Sequence, residues 1–496
     1  MPNRSSGALL TPVIQNNPAG RIHSLFSRRW FAVPFFSVAS LVPCFWQSRI
    51  QAGDLGSHIY NAWLATLIQQ GRAPGLYIAS PSNNILFDLL LQWLLPRVGM
   101  NLTQRIAVSA SVLIFVWGAV LFVSRCARPE PHPNLWVVIP CIAMLAYGYI
   151  YHMGFFNLYL SMGLVLWYLA IFWEGNWVVR TFSTPILMLA WLAHPLPVAW
   201  ALGTGAYAGV ARKLRPELRL VLVITGSAVL IAARVAIAHS YAYSWSTTQV
   251  FFATGANQIN LFGPKYHVLY ICLLLVWFVL LMRIVFSSGL RHLLLSIPFQ
   301  LWLLNAAAVV LIPNRILFPQ FALPLGFIAD RMSFCAALMM CAVVAVAPAR
   351  RFEKAALALI AVLFFALLYN DTQKLNHIED RIDLAVSNVP FGQRVISSIT
   401  PWPLHMISVQ HALDRACIGH CFSYANYEAA SHQFRIRAEP GNGFMMDNYI
   451  DVRAVQSGEY SVQGRDLPVY ILYECGHELI DVCSRALEAG EVVGPH

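Results

Sequence analysis

Charged residues are scarce in this 496-residue chain. They make up 11% of it, whereas 58% of the residues are hydrophobic and the mean hydropathy is +0.58. Soluble globular domains carry about 25% charged residues, and coiled coils and disordered chains are also rich in charge. The shortage of charge therefore excludes these classes and indicates a membrane protein.

Acidic residues are especially rare before residue 370. Residues 1–370 contain 24 Lys and Arg but seven Asp and Glu, a net charge of +17, whereas residues 371–496 contain 9 and 16, a net charge of −7. The excess positive charge thus belongs entirely to the hydrophobic part, where Lys and Arg mark loops on one side of a bilayer. We therefore expect the lipid bilayer, and not nucleic acid, as a partner.

Several motifs of soluble enzymes are also missing. No P-loop, dinucleotide-binding fingerprint, zincin motif or nucleophile elbow occurs in a suitable context. The residues of any catalytic site must therefore be sought outside these motifs.

Apolar segments long enough to cross about 30 Å of hydrocarbon recur through the first 370 residues. We predict about eleven transmembrane helices, at 30–47, 106–124, 135–151, 157–173, 181–195, 196–211, 218–239, 266–286, 292–312, 329–348 and 354–370. The segment 84–98 is shorter and contains Asp88, so we predict an interfacial helix there.

The distribution of Lys and Arg predicts the orientation. With the amino terminus in the cytoplasm, 16 of them fall in cytoplasmic segments and seven in the longer outer connections between helices, as the positive-inside rule requires. We therefore predict an all-α polytopic protein of the cytoplasmic (inner) membrane, with its amino terminus inside and its carboxyl terminus outside. Residues 1–29 form a cytoplasmic tail, 30–370 the transmembrane domain, and 371–496 a small extracytoplasmic α+β domain.

Four cysteines of the C-terminal domain form two close pairs, Cys417 with Cys421 and Cys475 with Cys483. Such pairs are typical of disulfides in an oxidising compartment. A histidine lies beside each pair, so the sequence leaves a structural zinc site open as the alternative.

The first outer loop, predicted over 48–105, is the longest connection in the membrane part, and loops of this length usually carry function. Asp54 begins an amphipathic helical pattern, and His58 follows four residues later on the same side. An aspartate beside a histidine can take a proton from a hydroxyl or hold a divalent cation. Asp is also a favoured helix N-cap, which is the structural alternative for Asp54.

The order of these elements resembles the GT-C glycosyltransferases. The shared features are an inside amino terminus, a first span, and a long outer loop that opens with an acidic residue and an amphipathic helix ending in Gly71-Arg72-Ala73-Pro74. This family contains polytopic enzymes that use lipid-phosphate-linked sugars, including protein mannosyltransferases and lipid A aminoarabinose transferases. The resemblance covers the membrane part and is strongest over 48–100.

This resemblance implies that Asp54 acts as a base on the acceptor or as a metal ligand. Many members have a second acidic residue next to the first, but here Leu55 follows Asp54. His58 and Asp88 are therefore the candidates for the second group, and a divalent metal ion, if one is used, is expected at Asp54 and His58.

Other polar residues gather at the predicted outer ends of the spans. His152, Asn157 and His194 are candidates for a polar cavity at the outer face, although each histidine also suits a structural role. Arg234 lies inside an apolar span and Arg315 in an outer loop. Since the departing phosphate of a polyprenyl-linked sugar needs cations, these two arginines are candidates for binding it.

The leading hypothesis is a membrane glycosyltransferase that moves a sugar from a polyprenyl-phosphate donor to an acceptor, with Asp54 as base. The sequence identifies neither the sugar nor the acceptor. The alternatives are a transporter or flippase of lipid-linked or polar substrates and a non-catalytic membrane scaffold. A transporter predicts internal repeats and interrupted helices at matching positions, and the sequence shows no such repeat.

Overall fold

The computed structural model describes residues 33–127, 134–175, 177–399, 409, 411–476 and 481–493. The predicted cytoplasmic tail, residues 1–29, lies outside the described residues. Most of the described chain is helical, and its strands form small sheets of two or four strands.

The apolar helices lie close to the predicted segments. The helices up to residue 387 are α1 Val33–Cys44, α2 Leu55–Gln69, α3 Leu86–Cys126, α4 Leu135–Ala146, α5 Tyr149–His152, α6 Phe156–Glu174, α7 Trp177–Phe182, α8 Thr184–Ala193, α9 Pro195–Ala211, α10 Leu218–Ser240, α11 Pro264–Ser288, α12 Leu290–Leu295, α13 Ile297–Leu311, α14 Ile328–Val344 and α15 Arg351–Ser387. Within the described residues, five helices (α3, α6, α10, α11 and α15) are long and apolar enough to cross a membrane. The helical membrane character is thus confirmed, while the number of spans and their orientation stay predictions.

Helix α3 is bent where the sequence predicts two separate elements. Pro96 lies inside it, and Gly99 has a non-helical backbone with φ of 76°. Proline removes a helical hydrogen bond, and glycine accepts a positive φ without strain, so the two residues divide α3 into a short and a long segment. The long segment packs closely against α6, because a Cβ at Gly118 would lie 2.8 Å from the Gly163 carbonyl oxygen.

Helix α15 joins the membrane part to the C-terminal domain without interruption. It has 37 residues, which corresponds to a length of about 55 Å. The predicted boundary between residues 370 and 371 therefore lies within one continuous helix. The last turns of α15 bury Ile382 and Ala385 in the core of the C-terminal domain.

The C-terminal domain combines helices and strands. The helices are α16 Ala412–Cys417, α17 Tyr427–Ser431 and α18 Tyr449–Ser457; the strands of the chain are β1 Leu76–Ile78, β2 Ala242–Ser244, β3 Arg315–Leu317, β4 Arg394–Ser397, β5 Phe422–Ser423, β6 Ile436–Ala438, β7 Tyr460–Ser461, β8 Val469–Glu474, β9 Val482–Ala486 and β10 Val492–Val493. A mixed sheet has the order β5-β4-β8-β9, in which β4 runs parallel to β5 and β8, and β9 runs antiparallel to β8.

Both predicted cysteine pairs form disulfides, Cys417–Cys421 directly after α16 and Cys475–Cys483 between the ends of β8 and β9. Because a zinc site needs thiolates, the zinc alternative has no ligands from these four residues. Disulfides also suit an oxidising compartment.

The first outer loop packs against both the membrane helices and the C-terminal domain. Strand β1 pairs antiparallel with β6, and the Tyr60 hydroxyl accepts a hydrogen bond of 2.9 Å from the Ser423 backbone N–H. Leu64 of α2 is fully buried in the same core as Val395 of β4. The buried residues of α2 are therefore divided between two cores: Tyr60 and Leu64 lie in that of the C-terminal domain, whereas Leu55, Ile59 and Ala62 lie in that of the membrane helices.

A buried ionic cluster fastens the start of this loop to α15 and α16. The Arg415 guanidinium lies 3.2 Å from a Glu379 carboxylate oxygen and donates to the Ile50 carbonyl at 3.1 Å. Arg49 reaches the same carboxylate at 3.7 Å and binds Asp380 at 2.6 Å. The side chains of Arg415 and Glu379 are each 5% exposed. If one of them is removed, water cannot solvate the charge of the other.

We expect Glu379→Gln to destabilise the protein by about 3 kcal/mol, because the variant leaves the Arg415 charge buried without its carboxylate. Thermal unfolding of the purified chain in detergent measures this loss. The matched control, Asp380→Asn, removes a half-exposed carboxylate from the same cluster and should cost less than about 1 kcal/mol. If the two substitutions lower the stability equally, the buried Arg415–Glu379 pair does not make the expected contribution.

Candidate functional site

Asp54 directly precedes α2, but its side chain does not cap the helix. It makes no capping hydrogen bond, and it is 24% exposed. The backbone holds the residue in place, since the Asp54 N–H donates to the Met153 carbonyl at 3.1 Å. Gly154 permits this approach, because it has a φ of 79° and a Cβ there would lie 2.3 Å from the Asp54 nitrogen. The carboxylate is thus positioned by its backbone and left available.

A histidine of the C-terminal domain faces this carboxylate. His411 Nε2 lies 3.6 Å from Asp54 Oδ1, and His411 Nδ1 lies 2.8 Å from Asp414 Oδ2. The contact depends on a glycine in the first turn of α2, because a Cβ at Gly56 would lie 2.2 Å from the His411 carbonyl oxygen. Asp414 fixes the orientation of the imidazole and favours its charged form.

A second histidine–aspartate pair lies on the other side of the α2 amino terminus. His58 Nδ1 lies 2.6 Å from Asp88 Oδ1, and the Asn157 amide donates to Asp88 Oδ2 at 2.8 Å. Asn157 also accepts a hydrogen bond from the Phe87 N–H at 2.8 Å. Three residues predicted separately from the sequence thus form one network between α2, α3 and α6.

Glu428 of α17 completes the arrangement. It is buried, and it accepts a 3.0 Å hydrogen bond from the Ser57 hydroxyl. We call the whole group the Asp54 cluster, which comprises Asp54, His58, Asp88, Asn157, His411, Asp414 and Glu428. Its residues come from α2 and α3 in the first outer loop, from the membrane helix α6, and from α16 and α17 in the C-terminal domain, with Asp54 and His411 directly before α2 and α16.

Burial and neighbouring charges set the protonation of the cluster. Burial raises the pKa of Asp54, and the charges of His411, His58 and Arg331 oppose that rise. The Asp88 carboxylate outweighs the burial of His58 and raises its pKa to about 9. Burial raises the pKa of Glu428 to about 7. At neutral pH the cluster therefore holds a charged His58 and a Glu428 that readily exchanges a proton.

The other two predicted histidines, His152 and His194, contact backbone groups. His152 is buried, and its Nδ1 lies 2.9 Å from the Gln51 carbonyl, just before the Asp54 turn. His194 separates α8 from α9, and its Nδ1 accepts a 3.2 Å hydrogen bond from the Leu196 N–H as the N-cap of α9. Both side chains hold backbone near the cluster.

Among the described residues, the two arginines predicted to bind phosphate make no contact with the Asp54 cluster. Arg234 donates to the Leu311 carbonyl at 2.7 Å and lies 4.8 Å above the Trp245 ring. Arg315 is exposed at the start of β3. Arg331, in the first turns of α14, is the arginine whose charge acts on Asp54.

The described residues contain no group of three or more His, Cys, Asp or Glu side chains arranged to hold a metal ion. His58 uses its Nδ1 for Asp88. The charged form of His58 has no lone pair for a metal ion, so a divalent cation at Asp54 and His58 would need His58 to lose its proton and water or substrate to supply further ligands.

The sequence interpretation missed His411, Asp414 and Glu428. They lie more than 300 residues after Asp54, in a domain that the resemblance does not cover. Gly56, within the helical pattern that Asp54 begins, is the one local signal, because a glycine inside a helix indicates a close approach by another segment.

Comparisons with protein-family models, curated proteins and solved structures return no match for this chain.

The raised pKa of His58 predicts a stability that depends on pH. Folded His58 binds a proton more tightly than the unfolded chain does, so the His58–Asp88 pair contributes fully below pH 6.5. Its contribution is lost as the pH rises through about 9. We expect the difference in melting temperature between the native chain and Asp88→Asn to shrink over this range.

The control for this titration is Asp451→Asn, which removes the partner of Arg465 at 3.1 Å. Arginine keeps its charge across this range, so this variant should differ from the native chain by a constant amount. If the melting temperatures of the native chain and Asp88→Asn differ by the same amount at every pH, Asp88 does not raise the pKa of His58.

Proposed function

We propose that this protein is an integral-membrane glycosyltransferase that moves a sugar from a polyprenyl-phosphate donor to an acceptor at the outer membrane face. The observation that carries the proposal is the Asp54 carboxylate, which caps no helix and lies opposite the His411–Asp414 pair. A carboxylate so placed suits a general base for a hydroxyl group. The GT-C-like order of the sequence elements supplies the reaction class.

In the proposed reaction, the acceptor hydroxyl transfers its proton to Asp54 while its oxygen attacks the anomeric carbon. The bond between that carbon and the phosphate oxygen breaks, and the polyprenyl phosphate leaves with the electron pair. A single displacement of this kind inverts the anomeric centre. His411, oriented by Asp414, balances the charge of Asp54 and keeps part of it ionised despite burial.

Arg331 is the cation that we assign to the departing phosphate. Its charge acts on Asp54, and its guanidinium lies 4.6 Å above the Phe155 ring, which holds it in one orientation. Arg234 is engaged by Leu311 and Trp245 on the α10 side. A cation held in place stabilises the negative charge that develops on the departing phosphate in the transition state, and this lowers the barrier to transfer.

The surroundings suit a lipid-linked donor outside the cytoplasm. Helix α10 is long and apolar, and its described residues are not buried within the protein, as expected for contact with lipid. The two disulfides on the side of the cluster favour an oxidising compartment. We therefore place the reaction at the outer face of the cytoplasmic membrane.

We expect Asp54→Asn to lower the transfer of labelled sugar from a polyprenyl-phosphate donor by about 100-fold or more, because the amide cannot accept the proton. Membranes from cells that produce each variant provide the assay, with equal amounts of folded protein. Asp380→Asn, which removes a half-exposed carboxylate on α15, is the control and should retain activity. Undiminished transfer by Asp54→Asn would refute the role of the base.

We expect His411→Gln to move the acidic limb of the pH–rate profile to higher pH. The charge of His411 lowers the pKa of Asp54, so its removal makes ionisation of Asp54 require a higher pH. Gly56→Ala should produce the same shift without changing a titratable group, because its Cβ would displace His411. His432→Asn, at an exposed histidine of the same domain, should leave the profile unchanged; an unchanged profile for His411→Gln would contradict the pairing.

A further inference from the structure

A small pocket lies beside His58, Asp88 and Glu428 of the Asp54 cluster, between the first outer loop and the C-terminal domain. Its polar lining comes from both sides and consists of His58, Asn61, Asn84, Asp88, Glu428 and Arg435. Phe434 and Ile436, which flank Arg435 in the sequence, supply an apolar wall. The pairing of β1 with β6 brings the two sides together.

The carboxylates of this pocket already have partners. Asp88 accepts from Asn157 and lies against His58, so both of its oxygens are engaged, at 2.8 and 2.6 Å. Glu428 accepts from Ser57 through Oε1. These hydrogen bonds fix the positions of both carboxylates in the pocket wall.

Two cationic donors in the pocket still have free N–H groups. Within the described part of the chain, the Arg435 guanidinium makes no hydrogen bond or ion pair, although it is half-buried and Asp88 is the charge that opposes its desolvation. His58 uses Nδ1 for Asp88, which leaves Nε2 without a described partner. Guanidinium and imidazolium groups with free N–H bonds are the groups that bind phosphate oxygens in proteins.

We propose that this pocket is an anion subsite in which Arg435 and His58 bind a phosphate group of a substrate. The proposal rests on the proposed glycosyl transfer only for the substrate's identity. The bound phosphate belongs either to an acidic acceptor or to the polyprenyl donor, in which case Arg435 and Arg331 bind it together; the chemistry of recognition is the same for both sources.

The charge balance of the pocket fits such a ligand. His58 and Asp88 form an ion pair, and Asp88 is also the carboxylate whose charge acts on Arg435. Glu428 has a pKa of about 7, so it can take up a proton and give up its negative charge when an anion enters. With Glu428 protonated, the charged residues of the pocket carry one net positive charge, which balances one negative charge of the bound phosphate.

Binding of phosphates to the purified full chain in detergent tests the subsite. Titrations with inorganic phosphate, a soluble sugar phosphate and a short-chain prenyl phosphate are followed by calorimetry. Arg435→Gln should weaken the tightest of these by about tenfold or more, because it removes a charge-assisted hydrogen bond. Arg437→Gln, two residues further along the chain in β6, is the matched control; its Nε donates to the Phe434 carbonyl, and binding should stay within about twofold.

The arms of this experiment distinguish the source of the phosphate. Tighter binding of prenyl phosphate assigns the subsite to the donor, and tighter binding of the sugar phosphate assigns it to an acidic acceptor. Arg435→Lys keeps the charge and should retain part of the affinity, which separates loss of binding from loss of folding. Equal weakening by Arg437→Gln, or no saturable binding of any phosphate by the native chain, would overturn the proposal.

The binding experiment needs no sugar transfer, so its outcome is independent of the proposed reaction. Phosphate binding that depends on Arg435 in a chain without transferase activity would leave the subsite standing and remove the proposed function. Sugar transfer that depends on Asp54, in a chain that binds no phosphate at Arg435, would support the proposed function and remove the subsite.

Discussion

The docking of the first outer loop against the C-terminal domain is the constraint on which the site depends. Neither part holds a complete set of groups, because Asp54, His58 and Asp88 come from one and His411, Asp414 and Glu428 from the other. The contact is close enough that Gly56 has no room for a side chain. The buried Arg415–Glu379 pair secures the same junction from the side of α15. The arrangement of the cluster is therefore a property of the interface.

Pairing of opposite charges offsets the free-energy cost of burying the charged groups of this interface. Each histidine of the cluster has an aspartate at its Nδ1 nitrogen, so the two histidine–aspartate pairs add little net charge. Unpaired buried charges cost several kcal/mol, whereas paired ones retain their ionisation and their orientation. Asp54 differs from the other two aspartates because its nearest charged partner is 3.6 Å away and its carboxylate is partly exposed. That difference is what leaves Asp54 available for chemistry.

The sequence predicts the local features of this molecule and misses the long-range ones. The apolar helices follow from runs of hydrophobic residues, and Asp54, His58 and Asp88 stand out because few acidic residues occur in the membrane part. The pairing of β1 with β6, and with it the position of His411 beside Asp54, joins segments more than 300 residues apart. Helical spacing carries no information about such contacts. For the same reason, the helical spacing of α2 does not show that its buried residues are divided between the core of the membrane helices and that of the C-terminal domain.

The shared core also imposes an order on biosynthesis. Helix α2 ends at Gln69, and β6, which pairs with the strand β1 that follows α2, begins at Ile436. At ~5–20 residues per second, synthesis of the chain between them takes on the order of tens of seconds. Throughout that time the apolar face of α2, with Tyr60 and Leu64, has no partner to cover it. The nascent loop must therefore be shielded by the membrane surface or by a chaperone until the last quarter of the protein has been made.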